Sequence, residues 1–401
     1  IRRQRQMCIR DRVCIYAILE NEDETDMKNT LIKIQNFFVA LAMVVRHPVK
    51  APELMLARRN EEELAADIEA INRERIRTLY GQEQEPADPE LKKKEYRKIN
   101  ESYEKRLIFH VGFGAGLFSE LDSMMEHMLF CFENHIRFEI YADDANFSKA
   151  GGMGWEELFE PFCPINHDKL NHIANYRPTD YKSTMRHHRL WYKGYFLPKI
   201  LKRRTGADYL TQDIWCMCIN NDFKYHPVDF PLFGMKGTAT SQFSKFGEIA
   251  ICPKPDVRKE MDALISKLHM PEHFVSMQIR GGDKCLEYKE LKDAASYVEK
   301  VEALGLSGQP LFIFTDDYTN VTKIRELRPE WELYTLTGEE ERGYYNEAFN
   351  RQDWEFRRKN LIKLLAIVEL CKKADYHIGP NQSCVDLYLR SVKGLERYIV
   401  L

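Results

Sequence analysis

Phe274-Val275-Ser276-Met277-Gln278-Ile279-Arg280-Gly281-Gly282-Asp283-Lys284 decides the reading of this 401-residue chain. An apolar run feeds directly into an arginine, two glycines, an acid and a base. That pattern predicts a buried strand whose C-terminal end opens into a tight, charged turn. In open α/β sheets ligands bind at such ends. Paired glycines allow backbone conformations and close approach that a side chain would block. Arg280 can meet an anion with a planar fork. The same string also fits a plain strand-end turn closed by an ion pair between Arg280 and Asp283.

Two similar segments follow. Pro310-Leu311-Phe312-Ile313-Phe314-Thr315-Asp316-Asp317 is an apolar strand ending in two acids. Residues 374–378 form a short strand, followed by Gly379-Pro380-Asn381-Gln382-Ser383-Cys384 and a last helix. Helices are expected over 257–268, 293–303, 318–327 and 360–373, with a short strand over 331–336. Strands alternating with helices argue for a parallel sheet wrapped by helices. Arg280, Asp316 and Ser383 would then line one edge, and that convergence marks a site.

The first half repeats the theme. Residues 107–111 predict a strand, Gly112-Phe113-Gly114-Ala115-Gly116 a turn, the stretch to 132 a helix, and 137–141 a second strand. This is a βαβ half. Its turn places a helix N-terminus at a strand end, suited to an anion or a hydroxyl-rich ligand. The glycine spacing, and the absence of an acid suitably placed for a ribose at the second strand's end, argue against a nicotinamide dinucleotide.

Composition narrows the class. A formal net charge of −3 gives no global electrostatic case for nucleic acid. Ten cysteines are scattered singly apart from Cys216 and Cys218, which points to a reducing compartment. The longest apolar run, residues 37–45, is short of a membrane span. It fits a short buried helix or, with Lys28, Lys33 and Arg46, a membrane-surface contact. Residues 1–26 are expected to be an artefact or unstructured, because the first twelve resemble a translated adapter read; Met27 is the expected start. The end after residues 398–401 resembles a clipped C-terminus. Residues 27–105 predict a charged helical extension, with helices over 61–80 and 91–106, of the kind that forms a solvated face or an oligomer contact. His187-His188 with Arg186 and Arg189, and Lys202-Arg203-Arg204, are basic clusters that fit solvated surface or the rim of an anionic acceptor site.

With these strand ends in place, the chain resembles the fucosyltransferase superfamily of GT-B fold, and within it the α-1,6-fucosyltransferases and their rhizobial nodulation relatives. Gln278-Ile279-Arg280-Gly281-Gly282-Asp283-Lys284 resembles the family's H-x-R-R-x-D-K motif. Phe314-Thr315-Asp316-Asp317 resembles its T-D-D strand end. The stretch from Cys371 through Ala374-Asp375-Tyr376 to Ser383 resembles its third motif. The glycine turn and Gly154-Trp155-Glu156-Glu157-Leu158-Phe159 resemble two further motifs, in the same order. The likeness runs over about 107–393.

The resemblance implies an α/β, GT-B-like fold: two Rossmann-like α/β domains facing a cleft, residues 106–254 on the acceptor side and 255–401 binding the nucleotide sugar. It implies an inverting transfer of fucose, or a related sugar, from a GDP-sugar to a glycan hydroxyl. Arg280 matches the arginine that holds the diphosphate, with Gly281 beside it. Ser383, preceded by Gln382, matches the serine at the phosphate. Gln278 stands where the family has a guanine-contacting histidine, and Asp316 lies close by. Asp283 and Lys284 match a supporting pair, and Glu287, with Glu290 behind it, is nearest to the catalytic glutamate. Gly114, Gly116 and Trp155 fall on the acceptor cleft. Two positions depart from the family: Gly281 replaces a second arginine, and Ile367, with Glu369 nearby, replaces the guanine-binding aspartate. A non-catalytic glycan- or nucleotide-binding protein of the same fold is the alternative.

The leaving diphosphate must be stabilised by a metal or by fixed cations and dipoles. Asp143-Asp144 and Asp316-Asp317 are adjacent pairs, and neighbours on a strand point to opposite faces, which makes a poor metal cage. Arg280 and the helix start after Ser383 offer the metal-free solution. The expectation is therefore no metal or other cofactor, a nucleotide-sugar donor, a glycan acceptor and no nucleic acid. Cytoplasmic location is expected, with a peripheral contact at the inner membrane and a homodimer left open.

Overall fold

A computed structural model describes residues 89–112, 114–177, 191–218, 223, 225–283 and 292–401. The expectations for residues 1–88, the basic cluster at 186–189, Lys284, Glu287 and Glu290 lie outside them. In chain order the elements are α1 (Pro89–Ser102), β1 (Lys105–His110), α2 (Leu117–Glu133), β2 (Ile136–Tyr141), α3 (Asn171–Ala174), α4 (Trp191–Thr205), β3 (Tyr209–Leu210), α5 (Thr211–Cys218), β4 (Pro227–Phe230), β5 (Met235–Thr238) and α6 (Ala239–Ala250). Then come α7 (Pro255–Ser266), β6 (Val275–Ile279), α8 (Ala294–Ala303), β7 (Leu311–Thr315), α9 (Thr319–Leu327), β8 (Leu333–Tyr334), α10 (Asn346–Asn350), α11 (Trp354–Lys373), β9 (Tyr376–Gly379), α12 (Cys384–Arg397) and β10 (Tyr398–Val400).

The fold is α/β with two parallel sheets. The first has the order β2-β1-β3, the second β10-β9-β6-β7-β8. Every pairing in both is parallel. The β4–β5 hairpin is antiparallel. Side chains alternate across a strand, so each sheet has two buried faces. In β1, Leu107 and Phe109 face one core and Ile108 another. In β7, Phe312 and Phe314 face that same first core, while Leu311 and Ile313 face a third. The shared core is filled by α2, α6, α11 and α12 and runs without interruption from one sheet to the other.

Local signals explain the boundaries. Asp293 caps α8 by accepting from the backbone of Ser296. Asp353 caps α11 in the same way, through Phe356, so this helix starts six residues before the expected 360. Helix α1 stops at Ser102 rather than 106, because the following residues enter β1. Nor is α1 a solvated preface. Tyr96 is 1% exposed and packs against Phe132, Phe162, Phe233 and Phe246. Lys93 is buried too, paired with Glu160 at 2.6 Å. Among the described residues no helix is long and apolar enough to cross a membrane.

Candidate active site

Because β6 pairs in parallel with both β7 and β9, their carboxyl ends lie on one edge. All of β6 is buried, and Arg280 emerges from it with 14% of its side chain exposed. Its guanidinium lies 3.3 Å from Asp316 Oδ2 and 3.7 Å from Asp283 Oδ1. Both distances exceed those of tight charge-assisted bonds. Its buried Nε has no hydrogen-bond partner among the described residues. The arginine is therefore held in place with donor capacity left over.

Asp316 is the organiser of the turn. It accepts from the Gly281 amide at 2.7 Å and the Tyr344 amide at 3.0 Å, while its carbonyl accepts from Gly343 at 2.7 Å. Asp283 closes the arrangement from the other side: its amide donates to Tyr344 O, and its carboxylate accepts from the Asn346 amide. Gly282 has φ +54°, and a Cβ there would lie 2.2 Å from Tyr344 O. Only glycine permits this approach. At Gly281 a Cβ would sit 3.3 Å from Asp316 Oδ1, so the position is tight without being closed. Burial beside Asp283 pushes the Tyr344 phenol up to about 12, against the opposing pull of Arg280.

Ser383 is the N-cap of α12. Its hydroxyl accepts from the Asp386 amide and donates to Asp386 Oδ2 at 2.7 Å, while its own amide donates to the same carboxylate. Tyr398 donates to the other oxygen of Asp386. Ser383 thus has a capping role of its own, with Gln382 just before the cap. Gln278 is fully buried; its amide nitrogen lies 3.4 Å from Ser383 Oγ, and its Oε1 has no partner among the described residues. This leaves a buried acceptor without a partner close to the start of α12. Ile367 packs in the shared core, and Glu369 pairs with Lys372, so neither stands at this edge as an open carboxylate.

The 112–116 turn differs from its expectation as an anion site. The amides of Gly112 and Ala115 both donate, at 2.9 Å, to the buried carboxylate of Glu120. Arg177 pairs with Glu120 at 2.5 Å and stacks over Phe109 and Trp215. The chain's own carboxylate therefore fills the place of an external anion. Gly114 contributes otherwise, as its carbonyl accepts from the side chains of Asn346 at 2.7 Å and Asn350 at 3.2 Å. Asn346 thereby joins the Asp283 turn of one sheet to the Gly114 turn of the other. Gly116 caps α2, and a Cβ there would meet only open space. Trp155 corrects the expectation of a cleft contact: it is 0% exposed, its indole donating to Glu160 O and packing on Phe159 and Phe162.

The acid pairs are engaged separately. Asp143 faces His167 at 2.8 Å, and Asp144 lies between His110 and His172. Asp317 caps Thr319. Of the 202–204 basic cluster, Lys202 pairs with Asp213 and Arg204 with Asp168. Sequence reasoning missed Tyr344, Asn346 and Asn350. Gly343 ahead of two tyrosines and an asparagine was the available signal.

No family model matches the chain, and no curated protein matches it in sequence. Solved structures of fucosyltransferases are similar to it at low identity. A NodZ α-1,6-fucosyltransferase soaked with GDP-fucose has a TM-score of 0.42 and 14% identity, over 72% of this chain and 93% of that one. The fucosyltransferase NodZ from Bradyrhizobium gives 0.39 and 13%, over 72% and 92%. A mutant of Arabidopsis thaliana FUT1 in complex with GDP gives 0.39 and 12%, over 86% and 78%.

Proposed function

We propose that this protein is a glycosyltransferase that moves fucose, or a related sugar, from a GDP-sugar to a glycan hydroxyl with inversion and without a metal. The observation that carries the reading is Arg280: a strand-end cation with unspent donors, on the same sheet edge as the β9 end that leads into α12, and beside Asp283, which Asn346 links to the other sheet. The order of motifs along the sequence supports the same reading. A carboxylate, Glu287 in this proposal, takes the proton of the acceptor hydroxyl. The freed oxygen forms a bond to the anomeric carbon as the bond to the nucleoside diphosphate breaks. The charge that develops on the leaving diphosphate meets Arg280 and the α12 dipole.

Thermal shift against a panel of sugar nucleotides, followed by turnover of the best binder, tests this. Arg280→Lys keeps charge but loses the fork, and should cut turnover about 100-fold. Unchanged nucleotide affinity and rate in Arg280→Ala refutes the donor site. Full activity in EDTA is expected, and loss restored by manganese or magnesium refutes the metal-free mechanism. Glu287→Gln should abolish turnover with donor affinity intact.

The second reading is a nucleotide- or glycan-binding protein without catalysis. It is favoured by the internal engagement of Asp316 and Ser383 and by Gly281 in place of an arginine. Tight nucleotide binding with no transfer to any acceptor would select it.

A further inference from the structure

The segment that joins the two sheets also carries aromatic rings into solvent. Tyr345 is 48% exposed and Phe356 49%. Two half-buried rings stand near them in the sequence: Tyr344 lies 5.4 Å from Phe349, and Phe349 lies 6.5 Å from Phe356, centroid to centroid. The 343–350 segment is pinned firmly, since Gly343, Tyr344 and Asn346 donate backbone amides to Asp316 and Asp283, and Asn346 and Asn350 reach Gly114. Exposed rings on a fixed backbone are pre-organised for binding, because little conformational freedom is lost when a ligand arrives.

We propose that these rings are a saccharide subsite, with Tyr345 and Phe356 taking the C–H faces of pyranose units in the acceptor glycan. A sugar ring has apolar C–H faces and a rim of hydroxyls, and this surface has both complements. From 345 to 353 every residue except Ala348 and Phe349 carries a hydrogen-bonding side chain. The ion pair of Glu347 and Arg351 is exposed beside the rings. A protein-docking patch would instead bring contiguous apolar side chains. The subsite adjoins the Asp283 turn directly through Asn346, where an acceptor hydroxyl would have to arrive. This assignment rests on the glycosyltransferase reading for its role as acceptor site, but saccharide binding can be measured without it.

Saturation-transfer NMR of the full chain with cellohexaose, chitohexaose and maltohexaose tests the proposal. Transfer to at least one is expected, with affinity about tenfold weaker in Tyr345→Ala and in Phe356→Ala, and nearly retained in Tyr345→Phe. Unchanged melting temperatures in these surface variants exclude misfolding. No transfer to any of the three, or binding indifferent to both alanine variants, overturns the subsite. Quenching of the same rings by GDP alone assigns them to the donor base and also overturns it. Saccharide binding that depends on Tyr345, in a protein that turns over no sugar nucleotide, keeps the subsite and removes the transferase reading. Turnover with an acceptor KM unaffected by Tyr345→Ala does the reverse.

Discussion

Two glycine turns sit at the carboxyl ends of parallel strands, and they differ in where their charge goes. The 112–116 turn is closed by Glu120, which takes two of its amides and is itself neutralised by the buried Arg177. The turn after β6 is also organised by a carboxylate, Asp316, yet it retains Arg280 at long distances from both neighbouring acids. A strand-end glycine turn can therefore receive an outside anion only if its donors are not already satisfied from within. The first turn is a structural joint; the second has capacity to spare.

The largest effect expected from this contrast is at Glu120. Glu120→Ala strands Arg177 in an apolar setting and should cost about 3–5 kcal/mol, read by denaturant unfolding. A loss near zero would mean that the first turn is as open as the second. The glycines come next. Gly282→Ala meets both a left-handed φ and the Tyr344 backbone, and should cost about 2–4 kcal/mol. Gly114 has φ +112° but open space around it, so Gly114→Ala should cost only about 1–2 kcal/mol. Equal losses would remove the distinction between a packed turn and a merely bent one.

The smallest effect is electrostatic. Burial alone would push the Asp144 carboxyl up, but hydrogen bonds and charge from His110 and His172 outweigh it and hold the group below its usual 3.8. A carboxyl lowered in the fold stabilises above its unfolded value, and that contribution disappears as pH falls through the folded value. Asp144→Asn should therefore flatten the acid limb of stability below about pH 4. Asp386 shifts the other way, raised by burial against its hydrogen bonds from Ser383 and Tyr398, so its contribution declines as pH rises. An unaltered acid limb in Asp144→Asn would show that the His110–Asp144–His172 contacts add nothing.

The alternation of apolar strands and helices was legible in the sequence, because period-2 and period-3.6 patterns are local. So was the edge formed by Arg280, Asp316 and Ser383, since parallel pairing places strand ends together. The partners of these residues were not legible. Glu120 and Arg177 meet across 57 positions of sequence, and a buried ion pair leaves no periodic trace. Trp155 was placed at the cleft by the likeness of Gly154–Phe159 to a family motif, yet it fills the core. The role of the 343–350 bridge was not legible either, because it lies in hydrogen bonds to two distant turns.

Helix α12 begins at the Ser383 cap, packs on α2 and α6 of the first half, and turns at Gly394, with φ +70°, into β10 of the second sheet. Tyr388 on this helix lies 5.3 Å from Phe118 of α2. A wide hinge motion between the halves would have to tear this seam and expose apolar surface, which makes it costly. Movement is then left to the loops at the strand edges, and heat should melt both halves together in one cooperative step.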